Sequence, residues 1–203
     1  MVRKAQPKVK TVKPKERKIK RDDADGYKKI TDFFAVRRSE RTVSNLLKKF
    51  ESEETERAII EGDEGHLYVC LFEGKGRGIR TSRKLRRGEF VVEYKGDLLE
   101  RHAGLHREKL YSLDENIGCY MYYFEYGGKQ YCVDATAETP YFGRLVNHSY
   151  KKPNCAAKVV EVGGVPRLIL TALRTIDVGE ELLYNYGERD KEVIAANPWL
   201  VNS

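Results

Sequence analysis

Gly143-Arg144-Leu145-Val146-Asn147-His148-Ser149 is the stretch on which the reading of this chain turns. It sets two compact hydrogen-bonding side chains, Asn147 and His148, behind an apolar pair. Neither can be buried without partners. By itself the stretch reads equally well as a surface turn, because Lys152-Pro153-Asn154 follows. Two further unusual stretches change the balance: Gly74-Lys75-Gly76-Arg77-Gly78 upstream, and Gly179-Glu180-Glu181-Leu182-Leu183-Tyr184-Asn185-Tyr186-Gly187 downstream. Three such stretches in one small domain call for a joint explanation.

Working outward, the glycines of 74–78 allow close backbone approach, and the interleaved cations suit an anionic ligand. A phosphate loop would run straight into a helix. Here Ile79-Arg80-Thr81 reads as a strand, so a carboxylate-bearing ligand fits better than a triphosphate. The chain carries 13 tyrosines. In Tyr120–Tyr126, alternation puts Tyr120 and Tyr122 on one face and Tyr123 on the other. Tyr184 and Tyr186 also share a face. A channel lined by phenols suits an alkyl chain with a cationic head, since rings pack on methylenes and their faces attract the cation.

The charge is uneven. Residues 1–50 hold 17 Lys and Arg against 6 Asp and Glu, and the rest of the chain holds 21 against 25. A basic tail on a mildly acidic domain suits two partners: phosphates or an acidic surface for the tail, a basic peptide for the domain. Met1–Arg21 carries too little apolar area to offset its ordering entropy and is expected to be disordered. No run of 18 apolar residues predicts a membrane span, and the basic N-terminus lacks the apolar core of a secretory signal. Cys70, Cys119, Cys132 and Cys155 show no metal-ligand spacing and read as reduced thiols.

The expected organisation is a disordered basic tail over 1–41, a helical flank over 42–66, a mainly β domain over 67–190 and a C-terminal lid over 191–203. A helix is predicted over Ser44–Glu61, with Ser44 as N-cap and Leu46, Leu47, Phe50, Ala58, Ile59 and Ile60 as its apolar residues. Strands are predicted over Leu67–Phe72, Gly78–Thr81, Phe90–Tyr94, Tyr120–Tyr126, Gln130–Val133, Ala156–Val162 and Arg167–Ala172. Helices are predicted over His102–Leu110 and Lys191–Ala196. No internal repeat is read.

Together the stretches at 74–78, 143–149 and 179–187 resemble, in order and spacing, the three signatures of SET-domain protein lysine methyltransferases. The resemblance covers about residues 67–200. Within that family, Phe90–Tyr94, Gly118–Tyr123 and Asn197-Pro198-Trp199-Leu200 look most like the subgroup that monomethylates lysine 20 of histone H4. It implies a fold of several small sheets with a knot-like chain crossing and short helices. The implied reaction takes one methyl group from S-adenosyl-L-methionine to a histone lysine in the nucleosome. Roles in chromatin compaction, transcriptional repression and cell-cycle progression, in the nucleus, go with it. Methylation of a non-histone lysine and a non-catalytic chromatin-binding module are the alternatives.

The resemblance also implies residue roles. Lys75, Gly76, Arg77, Tyr120, Asn147, His148 and Trp199 would bind the cofactor, with Trp199 stacking on its adenine. Tyr94, Cys119, Tyr123, Tyr184 and Tyr186 would line the lysine channel. Tyr186, with Tyr94 and Tyr184, would be catalytic. The side chains of Asn147 and His148 would fix the chain crossing. No zinc site is expected, because no cysteine follows Cys155. In the tail, Ile30, Phe33 and Phe34 fall at i, i+3 and i+4. Residues 27–38 are similar to the motif that binds the sliding clamp, proliferating cell nuclear antigen, although Tyr27 stands where Gln is usual. The basic tail could also touch DNA.

Overall fold

Short strands broken by glycines leave no element able to bury its apolar face alone, so three small sheets pack around a shared core. The computed structural model describes residues 40–114, 116–118, 120–187 and 191–203. The tail with the clamp-like motif, and Cys119, lie outside them.

A long helix, α1 (Glu40–Glu61), leads into a two-stranded hairpin, β1 (Leu67–Phe72) with β2 (Gly76–Thr81). A five-stranded sheet follows the spatial order β3 (Phe90–Glu93), β9 (Val165–Ala172), β8 (Cys155–Val162), β10 (Leu183–Tyr184), β7 (Asn147–His148). A three-stranded sheet places β6 (Lys129–Asp134) between β4 (Asp97–Glu100) and β5 (Met121–Tyr126). α2 (Arg101–Tyr111) packs on this third sheet, and a 3₁₀ turn over Gly143–Leu145 precedes β7. Two short helices, α3 (Lys191–Ala196) and α4 (Trp199–Asn202), end the chain. Among the described residues no helix is long and apolar enough to cross a membrane.

Ile79, Val91, Val92, Leu85, Leu168, Leu170, Ile176 and Leu182 form the main core and are almost fully buried. A second cluster joins Ile59 to Phe90, Val162 and Ile169. α1 differs from the sequence expectation. It starts before Ser44, which therefore sits inside the helix rather than capping it. Only its C-terminal end reaches the core, through Ala58 and Ile59. At about 100° per residue, Leu46 and Phe50 fall on the side away from Ile59 and Ile60 points sideways from it, and all three are exposed.

No internal repeat is evident in the sequence, yet the structure contains a cryptic one. Arg83-Lys84-Leu85-Arg86-Arg87-Gly88-Glu89 and Arg174-Thr175-Ile176-Asp177-Val178-Gly179-Glu180 form the same turn. In each, the first Arg is paired with the last Glu. In each, that Glu also accepts a backbone N–H three residues before it. The two turns face each other: Leu85 N–H donates to Ile176 O and Ile176 N–H to Leu85 O, both at 3.0 Å. Only the Arg, the Gly-Glu pair and one apolar residue are shared, too little for self-similarity to show in the sequence.

The crossing lies where the third signature stretch passes the second. β10 runs parallel to both β7 and β8, with Leu183 opposite Asn147 and Tyr184 opposite His148 and Cys155. On its other side the same stretch meets β2, through Leu182 N–H to Ile79 O at 2.9 Å and an Arg80–Glu181 bridge. Asn154, 1% exposed, closes the passage by donating from Nδ2 to Glu181 O and accepting Leu183 N–H at Oδ1.

Candidate active site

A cleft of about 590 Å³ opens beside the crossing. Lys75, Gly76 and Arg77 from β2 and its turn, Tyr120, Asn147, His148, Tyr186 and Trp199 line it, with Gly118, Arg144 and Leu145. The sequence-selected cofactor residues are thus brought to one place. The three glycines of 74–78 are there for different reasons. Gly74 and Gly76 sit at φ +74° and +75°, where L side chains are strained. Gly78 is set by close approach instead, since a Cβ there would collide with Asn147 Nδ2 and stand 2.7 Å from the Phe72 ring.

Each cation of that turn already meets a carboxylate. Lys75 Nζ lies 3.1 Å from Glu181, and Arg77 Nη2 lies 2.6 Å from Glu138. Asn147 Nδ2 donates to the same Glu181 at 3.0 Å. Glu138 does not stand out in the sequence, and although Glu181 lies in the third unusual stretch neither pairing is visible there, because the partners are 61 and 106 residues apart.

His148 joins three elements. Its Nε2 lies 2.9 Å from Leu200 O, and its Nδ1 accepts Tyr186 N–H at 3.1 Å. A carbonyl on one nitrogen and a donor on the other fix the neutral ring with the proton on Nε2. Its ring meets those of Tyr186 and Trp199 edge-on at 4.8 and 5.6 Å. A proton added at Nδ1 would oppose Tyr186 N–H. Burial first, and Lys75 in addition, hold the His148 pKa below its usual value. The unfolded chain therefore binds the proton more readily, so stability falls as pH drops below about 6.5 and levels off below the folded pKa. His66, also depressed mainly by burial, adds a slope of the same sign. Melting temperatures across this range are expected to fall less steeply in His148→Gln than in the parent. An unchanged slope would contradict this role of the ring.

Beyond the cleft lies a tyrosine cluster. Tyr184 packs on Tyr186 with ring centroids 4.7 Å apart, Tyr122 on Tyr184 at 6.5 Å, and Tyr94 on Tyr122 at 6.0 Å. Tyr94 donates to Tyr120 O at 3.2 Å, and Tyr186 to Val146 O at 3.2 Å. Tyr94 and Tyr184 are buried, whereas Tyr186 keeps 36% of its surface open and lines the cleft. Burial drives the Tyr184 phenol pKa well up, and pushes that of Tyr186 up to about 12. Both phenols are therefore neutral at pH 7 and act as hydrogen-bonding groups, not as bases.

Tyr123 departs from the expectation. The structure turns it away from this cluster, onto α2, where its hydroxyl donates to Glu108 Oε2 at 2.8 Å. Buried Gly104 of α2 leaves room for it, since a Cβ there would stand 3.1 Å from the Tyr123 ring. Successive residues of β5 face opposite sides, so Tyr122 occupies the place assigned to Tyr123. The shared face of Tyr120 and Tyr122 was the signal that identifies it. Cys119, assigned to the same channel, lies outside the described residues. Among those residues no cluster of His, Cys, Asp or Glu is placed to hold a metal.

The comparison with known proteins decides the family. Residues 76–187 match the SET domain. The chain belongs to the SET-domain family. It is 48% identical to the N-lysine methyltransferase KMT5A of Xenopus tropicalis over 190 residues, covering 94% of this chain and 56% of that protein. It is 49% identical to the histone-lysine N-methyltransferase set-1 of Caenorhabditis elegans over 176 residues, covering 86% of this chain and 73% of that protein. The SET8 structure from Cryptosporidium superimposes with a TM-score of 0.64 at 36% identity, over 77% of this chain and 69% of the other. The chain thus spans about half the length of the first of these relatives. The matched SET domain runs from Gly76, the first residue of β2, to Gly187, and so contains Arg77 and the whole crossing but not Lys75.

Proposed function

We propose that this chain is a histone-lysine methyltransferase that places a single methyl group on lysine 20 of histone H4, acting on chromatin in the nucleus. The observation that carries the reading is the position of Tyr186. It lines the cleft and also packs into the tyrosine cluster, so a donor held in one meets an amine held in the other. The relatives' names supply lysine and histone as substrate class. The target lysine comes from the resemblance to the histone H4 subgroup.

The cleft fits S-adenosylmethionine. Lys75 and Arg77 answer its carboxylate, and the half-exposed Trp199 indole offers a face for its adenine. Gly74 and Gly76 leave open space on the turn, since a Cβ at either would meet nothing within 4 Å. When bound, the group supplies a methyl on a positively charged sulfur, an electrophile.

The chain's own residues do the rest. The nucleophile must be a neutral amine, and a free lysine has a pKa of about 10.4. Losing that proton at pH 7 costs roughly 4–5 kcal/mol. Exclusion of water from the buried channel lowers this cost by disfavouring the charged form. The tyrosines are neutral donors and take up no proton, so the lysine proton leaves to water before transfer. What remains is alignment, with Tyr186 orienting the amine toward the cleft.

Tyr184 sets the product. Its hydroxyl, in the buried part of the cluster, can hold a water in the volume that a second methyl would need. The Tyr184→Phe variant is expected to give dimethylated peptide, read by mass spectrometry. Only monomethylated product from it would count against this role.

The test of the substrate is transfer of labelled methyl from S-adenosylmethionine to nucleosomes. Label should appear on histone H4 and vanish when lysine 20 of H4 is replaced by arginine. Label persisting on that histone would favour another lysine, and label on no histone would favour a non-histone target. Deleting residues 1–25 should reduce activity on nucleosomes more than on peptide if the basic tail touches DNA. Clamp binding through Ile30, Phe33 and Phe34 is a separate proposal, checked by pull-down with Phe33→Ala and Phe34→Ala.

A further inference from the structure

Two arginines reach the cleft from different elements, and one carboxylate holds both. Arg77 comes from β2, and Arg144 from the 3₁₀ turn. Glu138, in the connection between β6 and that turn, accepts from Arg77 Nη2 at 2.6 Å and Nη1 at 3.3 Å. Its Oε1 also lies 2.8 Å from Arg144 Nη1.

The two arginines differ in what they would lose. Arg144 is 5% exposed and is fixed by its neighbours: Nε donates to Ala135 O at 2.7 Å and Nη2 to Thr136 O at 3.2 Å. Its guanidinium lies over the Tyr120 ring, 4.0 Å from the centroid. Arg77 is half-exposed, and Glu138 is its one ion-pair partner among the described residues. Without Glu138, neither Arg77 nor the buried Arg144 has another ion-pair partner among the described residues. The hydrogen-bonded Arg77 guanidinium first, and then the Arg144 charge, keep the Glu138 carboxyl ionised, down to a pKa of about 2.

We propose that Glu138 is a positioning residue that clamps Arg77 against Arg144 and so presets the cationic wall of the cofactor cleft. A bidentate pair fixes the plane of a guanidinium as well as its position. A ligand carboxylate arriving at the cleft then meets an ordered cation instead of ordering one at its own cost. Glu138 acts through Arg77 and touches no reacting atom. The inference rests on the cleft being the S-adenosylmethionine site.

The experiment is calorimetric binding of S-adenosylhomocysteine to the full chain and to variants, together with steady-state kinetics. Glu138→Gln keeps the shape and removes the charge. Its dissociation constant should rise about fivefold to tenfold, the cost of ordering one or two arginine side chains. KM for S-adenosylmethionine should rise in parallel, while kcat at saturating cofactor stays close to the parent. Glu138→Asp, which keeps the charge but shortens the reach, should lie between the two, and it carries the test if Glu138→Gln does not fold. In an Arg77→Ala background the change from Glu to Gln should have little further effect. Unchanged or tighter binding in both Glu138 variants would overturn the proposal, as would a full effect persisting without Arg77. If the parent itself does not bind S-adenosylhomocysteine, the reading of the cleft fails. If the parent binds and the variants match it, the positioning role alone fails.

Discussion

Tyr186→Phe is expected to lower turnover by at least about tenfold, the scale of a single positioned hydrogen-bonding group. The change deletes one oxygen and leaves the ring. The ring is what packs against Tyr184, His148 and Trp199, at 4.7, 4.8 and 6.5 Å. The backbone N–H of residue 186 still reaches His148 Nδ1. The crossing and the cleft wall should therefore survive, and binding of S-adenosylhomocysteine should change little. What is lost is the hydroxyl that donates to Val146 O in the free protein, the group assigned to orient the amine. Single-turnover rates read the first effect and calorimetry the second. A variant with near-parental turnover would remove Tyr186 from the chemistry. A variant that loses cofactor binding would make its role structural.

Gly143→Ala should destabilise the fold strongly, costing about 3 kcal/mol or more by overpacking against atoms that cannot move aside. A Cβ at Gly143 would run into the Glu93 carbonyl oxygen and stand 2.9 Å from both the Glu93 carbonyl carbon and Tyr94 Cα. These are backbone atoms at the end of β3, whose residues are all buried. No side-chain rotation relieves the clash, so β3 or the 3₁₀ turn must shift. That shift would misplace Tyr94 on one side and Arg144, Asn147 and His148 on the other. With total stabilities of about 5–15 kcal/mol for domains of this kind, the urea midpoint should fall sharply. Gly65→Ala is the control, because a Cβ there meets only Asp63 Oδ1 at 3.8 Å. Equal midpoints for the two variants would contradict the close approach.

Much of this arrangement was legible in the sequence, where the pattern was local. β1, β3, β5, β8 and β9 declare themselves by apolar or aromatic runs between glycines, and α2 by its periodicity. β4 did not, because Asp97-Leu98-Leu99-Glu100 offers too few residues for a period of two. β7 and β10 are two residues each. They exist because distant segments pair in parallel, and no local preference announces that. The apolar residues of α1 suggested a buried face, but they point to more than one side and only Ala58 and Ile59 reach the core.

The wall of the cleft was legible for a different reason. Its glycines, Asn147, His148 and Trp199 are unusual residues in unusual places. Glu138 is an ordinary acid whose meaning arises only from a partner far away in the chain, and Glu181, though inside the third stretch, finds Lys75 only in the fold. The assignment of Tyr123 failed on parity: β5 alternates strictly, and its face toward Tyr94 and Tyr184 is that of Tyr122. The adjacent residue, with its hydroxyl on Glu108, anchors α2 instead. Tyr122→Phe and Tyr123→Phe should thus separate, the first changing the channel and the second the seating of the helix.

On the proposed function, the cleft and the tyrosine cluster meet at Tyr186 and serve a single methyl transfer. The most direct measurement is the mass of a histone H4 tail peptide after exhaustive incubation with the protein and excess S-adenosylmethionine. The predicted result is complete conversion to the product carrying one methyl group, on lysine 20, with no further increase on longer incubation. Peptide recovered without any added methyl, or progressing to two, would contradict it.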